Sequence, residues 1–463
     1  MPVPHLDLVA IDMGYGHLRP AYALSDFLAG QPILLVDRAP LASAEEQRLW
    51  KRARSGYELL SRASAVPVAG PLLSEVLQGV TSIAPLYPRR DQSSPTVPTR
   101  LLAYFGQSGM GRGLTARLQR TDGTLLTTFF APAVLSDVAG CERIYCLVTD
   151  SDVNRVWVRS DASKTNVVYL APTERVRRRL KTYGVPSDRI LVTGFPLPHR
   201  LVGGTAASAL KKNLKRRLAA LDPRGRFLRE CRDEVSHFLG DTQSPGDPVH
   251  LAFAVGGAGA QAEMVERFLP SLGKRLRRGK MRLTLVAGIR HEVAQTFREA
   301  IARAGLGPEL DSGTIRILLA ESHAEYFAAF DELLESVDVL WTKPSELTFY
   351  GALGLPLILS SPVGGHEHYN ARWALHSGAA VRQSDPRHAG DWIWEMLKDG
   401  TLAGAAWTGY MRMPKFGLYR IAGEVLGEAA LEQRLRELGA EAPKPTHDEI
   451  APERRSAGDL TTN

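Results

Sequence analysis

Short apolar, β-branched runs alternate with segments of helical period over most of the chain. The first series of runs occupies residues 6–11, 33–36, 125–130, 144–148, 167–170 and 190–193. A second series follows at residues 249–255, 283–286, 315–318, 337–341 and 357–359. Because strands that alternate with helices are typical of βαβ units, the pattern predicts two α/β units, each built on a buried parallel sheet.

The spacing of the two series also predicts the domain organisation. We expect an N-terminal α/β domain over 1–198, a basic helical connector over 199–247 and a C-terminal α/β domain over 248–440. A length of 463 residues fits two domains, because single cores stop growing near ~250–300 residues. The remaining segment, 441–463, contains three prolines and is predicted to be disordered.

Composition narrows the class of protein. The chain is 44% hydrophobic and 23% charged, as soluble globular proteins are, which argues against a fibrous or wholly disordered protein. It has no run of ~18–20 apolar residues and no secretory signal at its start. Its three cysteines form neither metal-type pairs nor a disulfide framework. We therefore expect a cytoplasmic protein.

Positive charge is concentrated in the connector. Residues 211–232 contain nine Lys and Arg against Asp222 and Glu230, an excess of +7 that equals the net charge of the whole chain. This patch predicts either a solvated helix face or attraction to an anionic membrane surface or substrate. We do not expect nucleic acid as a partner, because no aromatic stacking platform or nucleic-acid motif accompanies the charge.

Two glycine-rich loops each connect the first strand of a unit to a helix. The first contains Gly14, Gly16 and His17, and the second contains Gly256, Gly257, Gly259 and Gln261. Glycine permits tight turns and close approach of a ligand, and a helix N-terminus favours anions. The first loop lacks the third glycine of a dinucleotide fingerprint. Together the two loops predict ligand binding, with a phosphate or diphosphate at the second loop, in a cleft between the units.

Polar residues follow strands of both units. Thr149, Asp150 and Asp152 come directly after a buried strand, so a carboxylate there is a candidate general base or a turn cap. In the second unit, the carboxylates and amide suited to holding sugar or ribose hydroxyls are Glu346, Glu367 and Asn370. The histidines of this region lack convincing metal spacing, since His366 and His368 would point to different faces of a helix. We predict no metal site.

These motifs, in this order, resemble the GT-B glycosyltransferases. The branch that they resemble contains the monogalactosyldiacylglycerol synthases, the processive diacylglycerol glucosyltransferases and the enzyme that adds N-acetylglucosamine to the lipid-linked muramoyl precursor. The resemblance lies in the Gly-x-Gly-His loop at 14–17, the Thr-Asp segment at 149–157, the Gly-x-Pro hinge at 194–196 and the donor stretch at 342–370. It extends over most of residues 6–380.

The resemblance implies an α/β GT-B fold of two Rossmann-like domains that face each other across a cleft. It implies an inverting glycosyltransferase that moves a sugar from a nucleotide-sugar, with UDP the usual nucleotide, to a hydroxyl of a lipid or small molecule. No cofactor or metal is expected. On the donor side it implies contacts from Gly256, Gly257, Gly259, Gln261, Arg290, Lys343, Ser345, Glu346, Thr348, Gly365, His366, Glu367 and Asn370.

On the acceptor side, the resemblance implies catalysis by His17 or Asp150, either of which would deprotonate the acceptor hydroxyl. Gly14, Gly16, Asp152 and Asn154 would form the acceptor-side loops. Histidine suits this role because its ordinary pKa of about 6.5 lies near working pH.

The chain departs from the family pattern at four places. Asn154 stands where the family has a histidine, and Ser345-Glu346 replaces a Gly-Gly pair. The family acid that meets the ribose falls near Gly351, with Glu346 as its candidate replacement, and His366 replaces a glutamine. Three alternatives stay open: a nucleotide-sugar epimerase of the same fold, a catalytically inactive nucleotide-sugar binder, and a basic scaffold for nucleic acid.

Overall fold

The computed structural model describes residues 5–64, 83–241, 248–256, 261–362 and 365–440. A parallel six-stranded sheet organises the first unit, in the order β2-β1-β3-β4-β5-β6. Its strands are β1 (Leu6–Ala10), β2 (Ile33–Leu35), β3 (Thr124–Thr127), β4 (Ile144–Leu147), β5 (Val167–Ala171) and β6 (Ile190–Val192).

A second parallel six-stranded sheet organises the second unit, in the order β12-β11-β10-β7-β8-β9. Its strands are β7 (Val249–Ala254), β8 (Met281–Gly288), β9 (Ile315–Leu319), β10 (Val339–Thr342), β11 (Leu357–Leu359) and β12 (Ala380–Arg382). The two α/β units predicted from the sequence are confirmed. The edge strand β12 was not predicted, because its three residues give too short an apolar run.

Helices cover both sheets. Those of the first unit are α1 (Tyr15–Phe27), α2 (Ala44–Ser64), α3 (Val97–Gln107), α4 (Arg112–Thr121), α5 (Phe130–Val138) and α6 (Glu174–Thr182). The connector contains α7 (His199–Val202), α8 (Ser208–Leu221), α9 (Arg226–Glu230) and α10 (Arg232–Leu239). The second unit continues with α11 (Met264–Arg277), α12 (His291–Arg303), α13 (Gly307–Asp311), α14 (His323–Ser336), α15 (Gly365–His376), α16 (Ala389–Lys398) and α17 (Thr401–Arg412). Two last helices are α18 (Gly417–Leu426) and α19 (Glu428–Glu437).

Each sheet has a topological switch point, where the chain turns from building one side of the sheet to building the other. In the first sheet it lies between β1 and β3, and in the second between β7 and β10. Open α/β sheets bind ligands outside the carboxyl ends of the strands at such points. Both glycine-rich loops lie there, since one follows β1 and the other follows β7.

The connector and the last helices hold the two units together. Arg217 of α8 is buried and donates hydrogen bonds to the carbonyls of Val337, Leu334 and Leu353 in the second unit. From the last helix, α19, Arg434 donates to the carbonyl of Phe27 in α1 of the first unit at 2.6 Å. A continuous hydrophobic core accordingly runs from one face of the first sheet into the second unit, and a separate core covers the other face of the first sheet.

The exact domain boundaries stay predictions, and the predicted disordered segment 441–463 lies outside the described residues. Within the described part of the chain, no helix is both long and apolar enough to cross a bilayer.

Candidate functional site

The first glycine loop reaches across to the second unit. Gly14, just before α1, has a φ of 107°, a conformation that side chains disfavour. Two residues later, a Cβ placed on Gly16 would lie 3.7 Å from Oε2 of Glu346. The loop therefore brings a carboxylate of the second unit against the start of α1.

His17 spans the switch point of the first sheet. Its Nδ1 lies 2.8 Å from the carbonyl oxygen of Thr128, the residue after β3. Because a carbonyl only accepts, Nδ1 carries the proton and Nε2 keeps its lone pair. Burial lowers the pKa of His17, against the opposing effect of the nearby Asp150 carboxylate. The imidazole is therefore neutral near pH 7 and competent to accept a proton at Nε2.

Asp150, after β4, is held by a residue of the second unit. Nδ2 of Asn370 donates to Oδ1 of Asp150 at 2.8 Å, and Oδ1 of Asn370 accepts from the backbone N–H of Ser151 at 2.8 Å. The structure thus places Asn370 between the units, where its amide orients the candidate base. Its predicted contact with the donor sugar is not tested.

Two further residues that the sequence assigned to the acceptor side differ in their hydrogen bonding. The Asp152 carboxylate is buried and paired with Arg175 at 2.7 Å and Arg179 at 2.8 Å. These two ion pairs engage both carboxylate oxygens and hold the loop in place. Oδ1 of Asn154 is buried and lacks a hydrogen-bond partner among the described residues. That atom is an available acceptor for a ligand.

A cavity of about 870 Å³ opens beside these residues. His17, Asp150 and Asn154 border it from the first unit, and His366 borders it from the second. The rest of its wall is largely apolar and includes Trp50, Leu101, Phe105, Phe129, Phe130 and Trp157. The arrangement can hold an apolar molecule with one polar end next to His17 and Asp150.

A buried ion pair joins the two units. Nε of Arg19, in α1, lies 3.2 Å from Oε1 of Glu346, and the side chains are 2% and 5% exposed. Arg19 also donates to the hydroxyl of Tyr326 at 3.0 Å and lies over the ring of Phe330 at 4.4 Å. The predicted ribose role of Glu346 stays untested, and in this structure its carboxylate serves the contact between the units.

The second switch point is occupied by Lys343. A Cβ on Gly256 would lie 2.1 Å from Cε of Lys343, so only glycine lets this side chain cross the loop. Nζ of Lys343 pairs with Oε1 of Glu367 at 2.7 Å, and the Glu367 side chain is buried. An ammonium beside a glycine loop at the end of a strand is suited to a diphosphate.

Other predicted donor residues surround this point. Gln261 has a φ of 73° and contacts Ser360 and Ser361 through its amide. Thr348 is buried and donates to the carbonyl of Ser345 at 2.8 Å, which fixes the start of the 3₁₀ helix Glu346–Leu353. Gly257 and Gly259 lie outside the described residues.

The remaining predicted donor residues precede or begin helices of the second unit. Arg290 precedes α12 and contacts Glu292 at 3.3 Å, while the neighbouring N–H of Ile289 donates to the hydroxyl of Tyr15 at 3.3 Å. Gly365 and His366 begin α15 and are exposed. Gly351, near which the acid of the resembled family falls, has no room for a side chain, because a Cβ there would lie 2.8 Å from Cβ of Ala379.

The described part of the chain contains no group of three or more His, Cys, Asp or Glu that could hold a metal ion. Sequence reasoning missed Arg19 as a contact between the units. The signal in the sequence was an arginine next to apolar residues of this helix, Leu18 and Ala21, which are buried in the structure. It also missed the apolar wall, because its residues are spread over several elements.

The comparisons with known proteins agree with this architecture. The profile of a family described as Domain of unknown function (DUF6938) matches residues 241–429. A processive diacylglycerol beta-glucosyltransferase of Bacillus mycoides is 24% identical over 242 residues, which cover 51% of this chain and 49% of that protein. The chain thus spans about half the length of the curated relatives that it matches.

Among solved structures, a Listeria monocytogenes protein assigned as a UDP-N-acetylglucosamine 2-epimerase has a TM-score of 0.50. It is 10% identical, with 94% of this chain and 97% of that chain covered. Arabidopsis thaliana UGT89C1, complexed with UDP-L-rhamnose, has a TM-score of 0.46 at 13% identity, with coverage of 94% and 99%. The resemblance stated from the sequence is confirmed, and so is the two-domain, Rossmann-like GT-B fold.

Proposed function

We propose that this chain is an inverting, metal-independent glycosyltransferase that moves a sugar from a nucleotide-sugar, with UDP as the nucleotide, to a hydroxyl acceptor. One observation carries the proposal. His17 and Asp150 of the first unit and His366 of the second border a single cavity, and Lys343, at the second switch point, pairs with Glu367 on the same helix as His366.

The ion pair at the second switch point supports a specific mode of donor binding. A diphosphate would attract the Lys343 ammonium, which now pairs with Glu367 at 2.7 Å. The Glu367 carboxylate would then accept hydrogen bonds from two sugar hydroxyls. Lys343 and the backbone N–H groups of the glycine loop would stabilise the charge of the departing nucleoside diphosphate, so the chemistry needs no metal.

The proton of the acceptor hydroxyl would move to Nε2 of His17. The attacking oxygen would form its bond to the anomeric carbon on the face opposite the departing diphosphate, which inverts the configuration. Asp150 is the alternative base. Where His17 is the base, the Asp150 carboxylate stays charged and favours the protonated imidazole. Asn370 keeps Asp150 in place through the 2.8 Å hydrogen bond.

The cavity wall supports an acceptor with an apolar part. Besides the buried rings, it includes Val97 and Leu101 of α3, which are 64% and 42% exposed at the cavity edge. An apolar chain would cover them, whereas a small polar acceptor would leave them in water. A lipid acceptor is therefore favoured over a small molecule, and a peripheral contact with a membrane surface would accompany it.

The test is a transfer assay with radiolabelled UDP-glucose, UDP-galactose and UDP-N-acetylglucosamine. Each is offered diacylglycerol in mixed micelles or a panel of small soluble alcohols and sugars, with EDTA present. We expect labelled glycolipid with a linkage inverted relative to the donor. Transfer that is lost with EDTA and restored by Mg²⁺ or Mn²⁺ would contradict metal independence, and the absence of transfer from every donor would contradict the proposal.

His17→Ala should lower turnover by ~10²–10⁴-fold with little change in UDP affinity, because the donor lies on the other unit. His368→Ala is the matched control, since His368 is exposed on α15 and does not border the cavity. Near-normal turnover of His17→Ala together with an inactive Asp150→Asn would assign the base to Asp150.

An inactive nucleotide-sugar binder is the second candidate, favoured by Asn154 in place of the family histidine and by the engagement of Asp150 with Asn370. Retained UDP-sugar binding without turnover would support it. An epimerase would instead convert the sugar of a UDP-sugar to its epimer without any acceptor, which product analysis detects.

A further inference from the structure

The second sheet carries polar residues on a face where parallel sheets are ordinarily apolar. His250 of β7 is paired in register with Arg282 of β8, and Thr284 of β8 with Arg316 of β9. Residues in register, and residues two apart on one strand, point to the same face. These four side chains therefore share one face, although strands covered on both faces are usually continuous hydrophobic runs.

Three of these side chains, His250, Thr284 and Arg316, form the floor of a cavity of about 1130 Å³ between α8 and α14, which we call the connector cavity. Lys212, Lys215 and Arg216 of α8 border it together with Arg316 of β9. Its apolar wall is formed by Ile317, Leu318, Leu319, Ala329 and Leu333. None of the residues that line it borders the cavity at His17.

The charges of the connector cavity are not balanced within the described part of the chain. Arg216 is paired with Asp338 at 2.6 Å, and Glu335 is paired with Arg200 at 2.8 Å. No ion pair among the described residues includes Lys212, Lys215 or Arg316. Apart from Glu335, Glu332 is the one carboxylate among the described residues of the wall. Three cations against one carboxylate leave a positive cavity.

The histidine of the floor adds no compensating negative charge, since its ring nitrogens contact the hydroxyls of Thr284 and Ser336. Burial lowers the pKa of His250 to about 4, with Arg282, Arg216 and Arg316 acting in the same direction, so its imidazole is neutral. On the α8 side of the cavity, Nε of Arg216 is buried and lacks an acceptor among the residues that the structure describes. A buried donor ordinarily has a hydrogen-bond acceptor, and an anionic ligand would provide one here.

We propose that the connector cavity binds a ligand that carries a phosphate or diphosphate group, at a site separate from the donor site. Lysine supplies a compact charge and arginine a forked donor, the combination that recognises phosphate oxygens. The apolar wall would contact the carbon part of the ligand. This inference rests on the geometry of the connector cavity and is independent of glycosyl transfer.

The test is calorimetric titration of the full chain with inorganic pyrophosphate at physiological salt. Because pyrophosphate can also bind at the donor loop, binding at the connector cavity is measured as the difference between wild type and the double variant Lys212→Ala/Lys215→Ala. We expect the double variant to lose the connector-cavity binding phase or to weaken it about 10-fold or more, a change of about 1.4 kcal/mol or more. Arg224→Ala/Arg229→Ala removes two exposed cations of the same connector that do not line the cavity, and it should bind as wild type does.

A second arm identifies the source of the phosphate. Cosedimentation compares vesicles of phosphatidylcholine alone with vesicles that also contain phosphatidylglycerol. Retention on the anionic vesicles that is lost in the Lys212/Lys215 variant assigns the ligand to lipid headgroups, and pyrophosphate binding without such retention assigns it to a soluble phosphate compound. Equal pyrophosphate binding and equal retention by wild type and by both folded double variants, with unchanged thermal melting, would overturn the proposal.

Discussion

The ion pair between Arg19 and Glu346 should make a large and non-additive contribution to stability. Its atoms are 3.2 Å apart and both side chains are almost fully buried. Arg19→Met fills a similar volume but leaves the Glu346 carboxylate buried without its counter-ion. Removing one partner of such a pair destabilises a protein by ~3–5 kcal/mol, because the remaining charge is uncompensated.

Glu346→Gln is a milder change. The glutamine oxygen can still accept from Arg19, whose cation also lies over the ring of Phe327 at 4.8 Å. We expect a loss of ~1–3 kcal/mol. Arg19→Met/Glu346→Gln removes the charge of both members of the pair, so the double variant should be more stable than the sum of the two losses implies, by ~1–3 kcal/mol.

The assay is equilibrium unfolding in urea, followed by tryptophan fluorescence and circular dichroism to test for a single transition. Arg303→Met is the matched control, because it breaks a 2.7 Å pair with Glu266 whose partners are 60% and 40% exposed. That loss should stay below ~1 kcal/mol. The reasoning is refuted if Arg19→Met is no more destabilising than Arg303→Met, or if the losses of the two single variants simply add.

Three further predictions concern other parts of the chain. Gly256→Ala should weaken UDP binding about 10-fold in calorimetry while the protein stays folded, because the new Cβ would lie 2.1 Å from Cε of Lys343 and displace that side chain; unchanged affinity would separate Lys343 from the donor. Gly351→Asp, which places an acid near where the resembled family has one, should lower the free energy of unfolding by at least ~1–3 kcal/mol, since its Cβ would lie 2.9 Å from Sδ of Met413; a stable variant with tighter UDP binding would contradict this. His250 has a folded-state pKa of about 4, below its unfolded value, so the unfolded state binds more protons and stability should fall by up to about 3 kcal/mol as pH drops from 6.5 to 4; urea titrations across this range should give a smaller loss for His250→Gln, and equal losses would rule out His250 as the cause.

Local patterns in the sequence predicted the strands well, because each buried parallel strand is an apolar run with a polar residue or glycine at its end. The runs at Leu6–Ala10 and Val249–Ala254 end within one residue of the predicted strands, and the two glycine loops follow them as predicted. β12 escaped prediction because Ala380–Arg382 is short and carries an arginine. These features depend on neighbours in the chain, which the sequence displays directly.

Contacts between the units could not be predicted in the same way. Arg19 and Glu346 are 327 residues apart, and their pairing depends on how α1 packs against the second unit. The same holds for Asn370, which the sequence assigned to the donor sugar and the structure places against Asp150. Residue type indicated polar chemistry at each position, whereas the partner depended on tertiary packing.

Helix α15 links the two sides of the cleft. Glu367 and Asn370 are three residues apart on it and therefore lie on the same face, where both are buried. Glu367 contacts Lys343 at the second switch point, and Asn370 contacts Asp150 near the first. A shift of α15 that separates Glu367 from Lys343 would also move Asn370 relative to Asp150. If donor contacts replaced the Lys343–Glu367 pair, the resulting shift of α15 would also move Asn370 and the carboxylate that it contacts. We therefore expect donor binding and the position of Asp150 to be coupled.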